Sequence, residues 1–388
     1  MNIPALAEIE NAARAAFASE QPERAEELVR AAFARGGETL VLWVILAKAL
    51  RKLGRHSEAR QIQERLLLVQ PQNYDFHFDL AETCLLLGDF ERGWKEYRFR
   101  YNLAHTKVLD RKVQKPRWSG DPIPGKALLI YDEQGFGDTF QFIRLVELAK
   151  QRSQANTILQ ITPRQASFAR RMNTADKIIL RGELPPAFDA YCEMMSLPLA
   201  LGLKLEDLPG RCPYLTVDPD RVAKWRPHFE NLPRPVVALC WSGRPEHFDD
   251  TNRSLHLTQL ASLAKSAGTF VSVQKGTRAA EALEPPGGMP LIGFGDEEAD
   301  FDDTAAILSF CDLLISVDTS PAHLAGALGV PTWLMLTFSP DWRWLLERSD
   351  SPWYPNHRLF RQPRRGDWNS VIAELAAALA QRFPETCG

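Results

Sequence analysis

A repeat with a fixed offset constrains the N-terminal part of this chain more than any other feature. The segment Ala47-Lys48-Ala49-Leu50-Arg51-Lys52-Leu53-Gly54-Arg55 aligns with Ala81-Glu82-Thr83-Cys84-Leu85-Leu86-Leu87-Gly88-Asp89 at an offset of 34 residues. The same offset relates Ala59 to Gly93 and to Ala25, and Ala47 to Ala13. Small residues thus recur where two packed helices must approach closely, while Leu and aromatic side chains fill the groove between them. A plain helical bundle could repeat by chance, but the Leu-Gly turns, the small residues after them and Pro71 favour stacked helical hairpins over roughly residues 5 to 105. Such stacks expose a concave groove suited to an extended peptide or another helix, so binding rather than chemistry is the expected task of this block.

The full length of 388 residues calls for two or three domains. A net charge of -3, with 45% hydrophobic and 24% charged residues, is the balance of an ordinary globular chain and argues against a dedicated nucleic-acid binder or a disordered tail. The basic run Arg92, Lys95, Arg98, Arg100, Lys107, Arg111, Lys112, Lys115 and Arg117 reads as a solvated helix face or linker, with docking of an acidic partner as the alternative. Cys84, Cys192, Cys212, Cys240, Cys311 and Cys387 form no C-x-x-C pair, which suits a reducing compartment better than a disulfide framework. No apolar run reaches transmembrane length, and Glu8 and Glu10 stand where a signal peptide would be basic or apolar, so the expectation is a cytoplasmic protein without a transmembrane segment.

Past Pro116 the texture changes. Trp118-Ser119-Gly120-Asp121-Pro122-Ile123-Pro124-Gly125 is turn-rich, and short apolar runs then alternate with helical stretches, the pattern of parallel sheets wound with helices. Strands are expected at Ala127–Tyr131 and near Thr157–Ile161, Lys177–Leu180 and Asp189–Cys192. A second block holds Val236–Trp241, Thr269–Val273, Leu291–Ile292, Leu313–Ile315 and Thr332–Leu336. The expected fold class is therefore α plus α/β: a helical domain over 1–110, a wound lobe over 111–230 and a second wound lobe over 231–388. Two such lobes put the carboxyl ends of both sheets on a shared cleft, where a ligand belongs.

Candidate chemistry gathers at those edges. Gln134-Gly135-Phe136-Gly137-Asp138-Thr139 stands between the first strand and a helix expected over Phe140–Lys150. It lacks the third glycine of a dinucleotide fingerprint, so Asp138 reads either as a helix cap or as a general base on a rigid turn. Asp318-Thr319-Ser320-Pro321-Ala322-His323 follows the strand ending at Val317. There Thr319 or Ser320 can cap, Pro321 suits the first turn, and the helix N-terminus with His323 makes a seat for a diphosphate. Trp241-Ser242-Gly243 with Arg253, and Gln274-Lys275-Gly276, add polar groups after other strands; Lys275 and Arg253 are placed to neutralise a leaving diphosphate, with a surface salt bridge the alternative for either. Asp300-Phe301-Asp302-Asp303-Thr304 reads as a helix cap, with nucleoside contact as the alternative, and Asp218-Pro219-Asp220 as a cap rather than a metal-binding D-x-D. His and Cys residues show no metal-ligand spacing, and neither a Walker nor a G-x-S-x-G pattern occurs.

As a set, Glu133-Gln134-Gly135-Phe136-Gly137-Asp138-Thr139, Gln274-Lys275-Gly276, the segment from Asp318 to Gly329 and Pro340-Asp341-Trp342-Arg343-Trp344 resemble bacterial tetratricopeptide-repeat proteins that carry a GT-B glycosyltransferase module. The resemblance is to the heptosyltransferase family and more distantly to O-GlcNAc transferase. It implies a tetratricopeptide solenoid followed by two Rossmann-like lobes, and transfer of a sugar from a nucleotide-sugar donor to a hydroxyl, metal-independent and inverting, with the nucleotide-sugar as substrate and no cofactor. By the same resemblance Asp138 is the base, Lys275 meets the donor phosphate and shares the catalytic role, and Asp318, Thr319, Ser320 and His323 bind the diphosphate. Trp241, Ser242, Gly243, Arg253 and Gln274 complete the expected donor site, and Gln134, Gly135, Gly137 and Thr139 an acceptor-side loop. The repeats are expected to hold a protein or peptide acceptor. The first wound lobe is short for an acceptor domain, which leaves part of that site to be supplied by the repeats. The rival readings are a non-catalytic scaffold that binds a nucleotide-sugar or only partners, and a sugar-nucleotide epimerase of the same two-lobed build.

Overall fold

The computed structural model describes residues 3–103, 114–208, 210–247, 250–266 and 268–384. Lys107, Arg111 and Lys112 of the basic run and Cys387 lie outside them. The chain divides into two compact units. One comprises Met1–Lys112 with Phe338–Glu347, the other Val113–Thr337 with Arg348–Gly388.

The first unit is built from helical hairpins: α1 (Ile3–Ala18) with α2 (Pro22–Phe33), α3 (Leu40–Lys52) with α4 (His56–Val69), and α5 (Tyr74–Leu86) with α6 (Phe90–Tyr97). Pro22, His56 and Phe90 begin the second helix of each pair at the spacing of the sequence repeat. Ala13, Ala25, Ala47, Ala59 and Ala81 are all buried. At Gly93 an added β-carbon would stand 2.6 Å from the Leu85 side chain, so the recurring small residue is required by helix contact. Gly54 and Gly88 turn the second and third hairpins at φ of 76° and 81°, which a side chain resists. Thr39, Asn73 and Asp89 cap α3, α5 and α6 by accepting hydrogen bonds from the amides of Leu42, of Asp75 and Phe76, and of Arg92. The segment Phe338–Glu347 completes the unit: Trp342 meets Trp94 edge-on at 5.3 Å between ring centroids and Tyr97 at 6.3 Å, while Trp344 is fully buried.

The second unit holds two wholly parallel sheets. β1 (Ala127–Tyr131), β2 (Asn156–Ile161), β3 (Lys177–Leu180) and β4 (Ala190–Glu193) form a sheet of order β3-β2-β1-β4. β5 (Val236–Cys240), β6 (Thr269–Ser272), β7 (Leu291–Gly293), β8 (Leu313–Val317), β9 (Thr332–Leu336) and β10 (His357–Arg361) form one of order β10-β9-β8-β5-β6-β7. Central strands β5, β8 and β9 are buried at every position, as strands covered on both faces must be. The helices are α7 (Phe136–Phe142), α8 (Leu145–Ser153), α9 (Ala166–Met172), α10 (Leu197–Leu201), α11 (Pro219–Phe229), α12 (Asp250–Arg253), α13 (Phe301–Ser309), α14 (Ser320–Leu328) and α15 (Trp368–Arg382).

Two details depart from the sequence reading. The helix after β1 begins at Phe136 rather than Phe140 and is interrupted before Leu145, so the Gly-Phe-Gly-Asp stretch is its cap and first turn, not a loop before it. The strand β10 was not anticipated, because His357, Arg358 and Arg361 disguise its apolar pattern.

In each sheet the strand order reverses once, between β1 and β4 and between β5 and β8. A parallel sheet binds ligands in the crevice at the carboxyl ends of strands flanking such a reversal. Those ends carry Asp132-Glu133-Gln134-Gly135 after β1, Trp241-Ser242-Gly243 after β5 and Asp318-Thr319 after β8. The two lobes meet through Phe301, whose ring stands 5.1 Å from those of both Phe136 and Phe140, and through Asp302, which accepts from Arg171 at 2.5 Å and from Ser167.

Candidate functional site

The first turns of α7 and α14 face each other. A β-carbon on Gly137 would lie 2.7 Å from Cδ2 of His323, so only glycine lets the backbone of α7 come this close to the imidazole. Asp138, the next residue, is partly buried at the third position of α7. One of its oxygens accepts from the amide of Gly135 at 2.9 Å, which places the carboxylate over the positive end of the helix. Thr139 is buried and its hydroxyl turns back to the Gly135 carbonyl at 3.4 Å; Gln134 is partly buried and Gly135 exposed.

Across from them, Thr319 is the N-cap of α14 and Pro321 stands in its first turn. No side chain caps that end, and Asp318, Thr319 and Ser320 are partly exposed, so the unbonded amides of the first turn remain open to an anion. His323 is buried, with Nε2 3.8 Å from an Asp318 oxygen and Nδ1 3.0 Å from the Tyr354 hydroxyl.

The neighbouring loops are braced against one another. Gln274 acts as a clamp: its Oε1 accepts from the amides of Trp241 at 3.0 Å and Ser242 at 2.8 Å, while Nε2 donates to the carbonyls of Ser242 and Lys275. The Trp241 indole lies wholly within the core of the second lobe, leaving only its backbone at the loop. Gly243 donates its amide to the Ser254 hydroxyl, and a β-carbon there would collide with the Arg253 guanidinium at 2.5 Å. Arg253 in turn donates to the Asp318 carbonyl at 2.9 Å and pairs with Asp250, which sets a cation beside the start of α14. Lys275 is half exposed and pairs with Glu298 at 3.1 Å. Burial is the largest influence on Glu298 and pushes its carboxyl up, while Thr304 and Lys275 pull the other way.

The structure thus brings Asp138, Gly137, His323, Asp318, Thr319 and Arg253 to one carboxyl-edge region, and braces Ser242, Gly243, Gln274 and Lys275 on the adjoining loops. Glu298 and Tyr354 were not singled out in the sequence, since Lys275 and His323, which they meet, are remote along the chain and no local pattern marks them. Asp218 accepts from the amide of Asp220 at 2.9 Å and Asp300 from that of Asp303 at 3.0 Å, both as caps. Among the described residues no three His, Cys, Asp or Glu side chains gather to hold a metal ion, and no helix is long and apolar enough to cross a membrane.

No family model matches this chain. Over 326 residues it is 30% identical to protein FlbA of Caulobacter vibrioides, a match that covers 78% of this chain and 54% of that protein. The chain spans about half the length of the curated relative it matches. Among solved structures, the glycosyl transferase family 9 protein of Veillonella parvula aligns over 68% of this chain and 98% of its own, with a TM-score of 0.50 at 9% identity. The shared feature is the fold. The ADP-heptose lipopolysaccharide heptosyltransferase II of E. coli aligns over 66% of this chain and 99% of its own at 14% identity, with a TM-score of 0.47.

Proposed function

We propose that this protein is a metal-independent, inverting glycosyltransferase of the GT-B type, which moves a sugar from a nucleoside-diphosphate donor to an acceptor hydroxyl. The observation that carries this reading is the apposition of two helix starts at the strand-order reversals of two parallel sheets, one bearing Asp138 and the other an uncapped N-terminus with His323. The diphosphate sits on the amides of Thr319 and Ser320. Arg253 and Lys275 supply positive charge as the bond between the sugar carbon and the diphosphate oxygen breaks. Asp138 takes the proton of the acceptor hydroxyl, whose oxygen attacks the sugar carbon from the opposite face and inverts it.

The helical unit, read as a tetratricopeptide solenoid, holds a polypeptide acceptor, and the reaction runs in the cytoplasm. The fold shared with the glycosyl transferase family 9 protein of Veillonella parvula fits this assignment, and the repeat spacing of α2, α4 and α6 supports the acceptor role.

The test is thermal unfolding with a panel of nucleotides and nucleotide-sugars. A true donor at a hundred times its Kd stabilises the protein by about 2.7 kcal/mol. With that donor, Asp138→Asn keeps binding and loses turnover. Unchanged turnover in Asp138→Asn removes the base assignment, and donor binding without turnover in the native chain favours the scaffold instead.

A further inference from the structure

One flank of the first lobe holds a space that the fold leaves unfilled. Helix α8 runs from Leu145 to Ser153, and α10 packs on it before ending at Gly202 with φ of 64°. The connection that follows is fastened to the second lobe. Amides of Tyr214 and Leu215 donate to the Ala327 carbonyl at 3.0 and 3.1 Å, and the Cys212 thiol donates to the Gly326 carbonyl at 3.1 Å. Anchored in this way to α14, the connection does not close down on α8, and a cavity of about 810 Å³ lies between it, α8 and the end of α9. Sites for small molecules have volumes of this order. The cavity shares no lining residue with the candidate site at the carboxyl edges of the sheets.

Its apolar wall consists of Leu145, Leu148, Met172, Leu201, Leu203 and Leu208. Helix α8 has a buried face in Val146 and Ala149, yet Leu148 stays 47% exposed, so a large apolar side chain is presented to the cavity and not to the core. Tyr214 supplies a ring, with the Arg144 guanidinium 4.3 Å from its centroid. A wall of this kind covers a flexible hydrocarbon by area and offers little free plane on which a nucleobase could stack.

Charge decides what the hydrocarbon carries. Four arginines line the cavity, against Glu147 and Asp207. Arg171 pairs with Asp302 at 2.5 Å, and Arg144 donates to the carbonyls of Gln141 and Trp353 at 2.9 and 3.1 Å. Arg152 donates Nε to the Gly120 carbonyl at 2.9 Å and Arg211 is exposed; neither has a carboxylate partner among the described residues. The two acids do not neutralise them. Asp207 accepts from the Lys204 amide at 2.8 Å, and Glu147 is exposed with no ion pair among the described residues. The planar fork of a guanidinium matches a phosphate or a carboxylate.

From this combination we infer that the cavity is a second ligand site, which takes an amphipathic anion: an alkyl or acyl chain lies along the leucines, and its phosphate or carboxylate meets Arg152 and Arg211. The site stands whether or not the carboxyl edges transfer a sugar.

Calorimetric titration of the full chain tests this, with n-decyl phosphate and n-decanoate as probes below their micelle concentrations. At least one should bind saturably, one molecule per chain, at concentrations where decyl maltoside and decyltrimethylammonium do not bind. Arg211→Glu should weaken that binding by at least about tenfold. Leu148→Asn should weaken it roughly fivefold, through lost apolar contact. Both side chains are exposed, so neither substitution disturbs the core, and circular dichroism checks that each variant folds. Lack of saturable binding by both anions, equal binding of the uncharged amphiphile, or native affinity in Arg211→Glu overturns the site. Inorganic pyrophosphate should leave the affinity of the alkyl anion unchanged. Displacement by pyrophosphate would put both ligands in one place and overturn the claim of a second site.

Discussion

Gly137 of α7 backs onto His323 of α14 with no room for a β-carbon, which would stand 2.7 Å from the imidazole. Since His323 is tied on its far side to Tyr354, the ring cannot simply swing aside. Gly137→Ala should therefore force the two helix starts apart, at an overpacking cost of ~1–3 kcal/mol, and weaken any diphosphate held between them. Chemical denaturation and pyrophosphate titration of the variant check both effects. Native affinity would mean the helices separate without disturbing the seat.

Asp302 joins the lobes by accepting from Arg171 at 2.5 Å and from Ser167. Asp302→Ala leaves a half-buried guanidinium with only the Thr216 carbonyl and the more distant Asp218, so unfolding of the wound unit should become easier by about 1.5–3 kcal/mol. A urea midpoint unchanged from native would show that water replaces the carboxylate.

Glu298 gives the second unit a pH signature. Its carboxyl is held above the ordinary range by burial, so between the unfolded and the folded pKa the native state carries more protons than the unfolded one, and stability falls as pH rises through that interval. The fall amounts to about 1.4 kcal/mol for each unit by which the two values differ. Lys275→Met removes a group that pulls the carboxyl down and should widen the interval, whereas Glu298→Gln should abolish it. Stability curves measured against pH for the two variants should diverge in opposite directions from native.

His56 acts in the opposite sense on the helical unit. It is buried with neither ring nitrogen hydrogen-bonded, and desolvation, aided by the Arg51 charge, pushes it down to about 4. Between that value and its ordinary one the unfolded chain binds the extra proton, so stability rises with pH through that window and is flat above it. Acidification across the window should cost roughly 3 kcal/mol. His56→Phe should make helical circular dichroism insensitive to pH there, and a slope equal to native would mean the ring is hydrated.

Much of the architecture was legible because it is local. Ala127–Tyr131, Lys177–Leu180 and Thr332–Leu336 were read at their observed bounds, each an apolar run fenced by turn residues or charges. The hairpin spacing was legible because helix contact restricts residue size at Ala59 and Gly93 alike. Where the reading slipped, distant contacts decide. Gly137 reads as a loop former, and only the imidazole beside it shows why a helix tolerates glycine there. Gln274 has the makings of a ligand contact by position, but its amide is used up bracing two loops. Tyr354 reaches His323 across a stretch of chain that no periodicity spans.

The segment Phe338–Glu347 lies between two adjacent strands, β9 and β10, yet belongs to the helical unit, where Trp342 and Trp344 fill in its wall. During synthesis, the hairpins leave the ribosome long before these tryptophans exist, so the helical unit lacks this part of its wall until the chain between them has been made. A fragment cut after α6 would inherit that gap permanently, which makes the hairpins a poor cassette for transplantation into another protein.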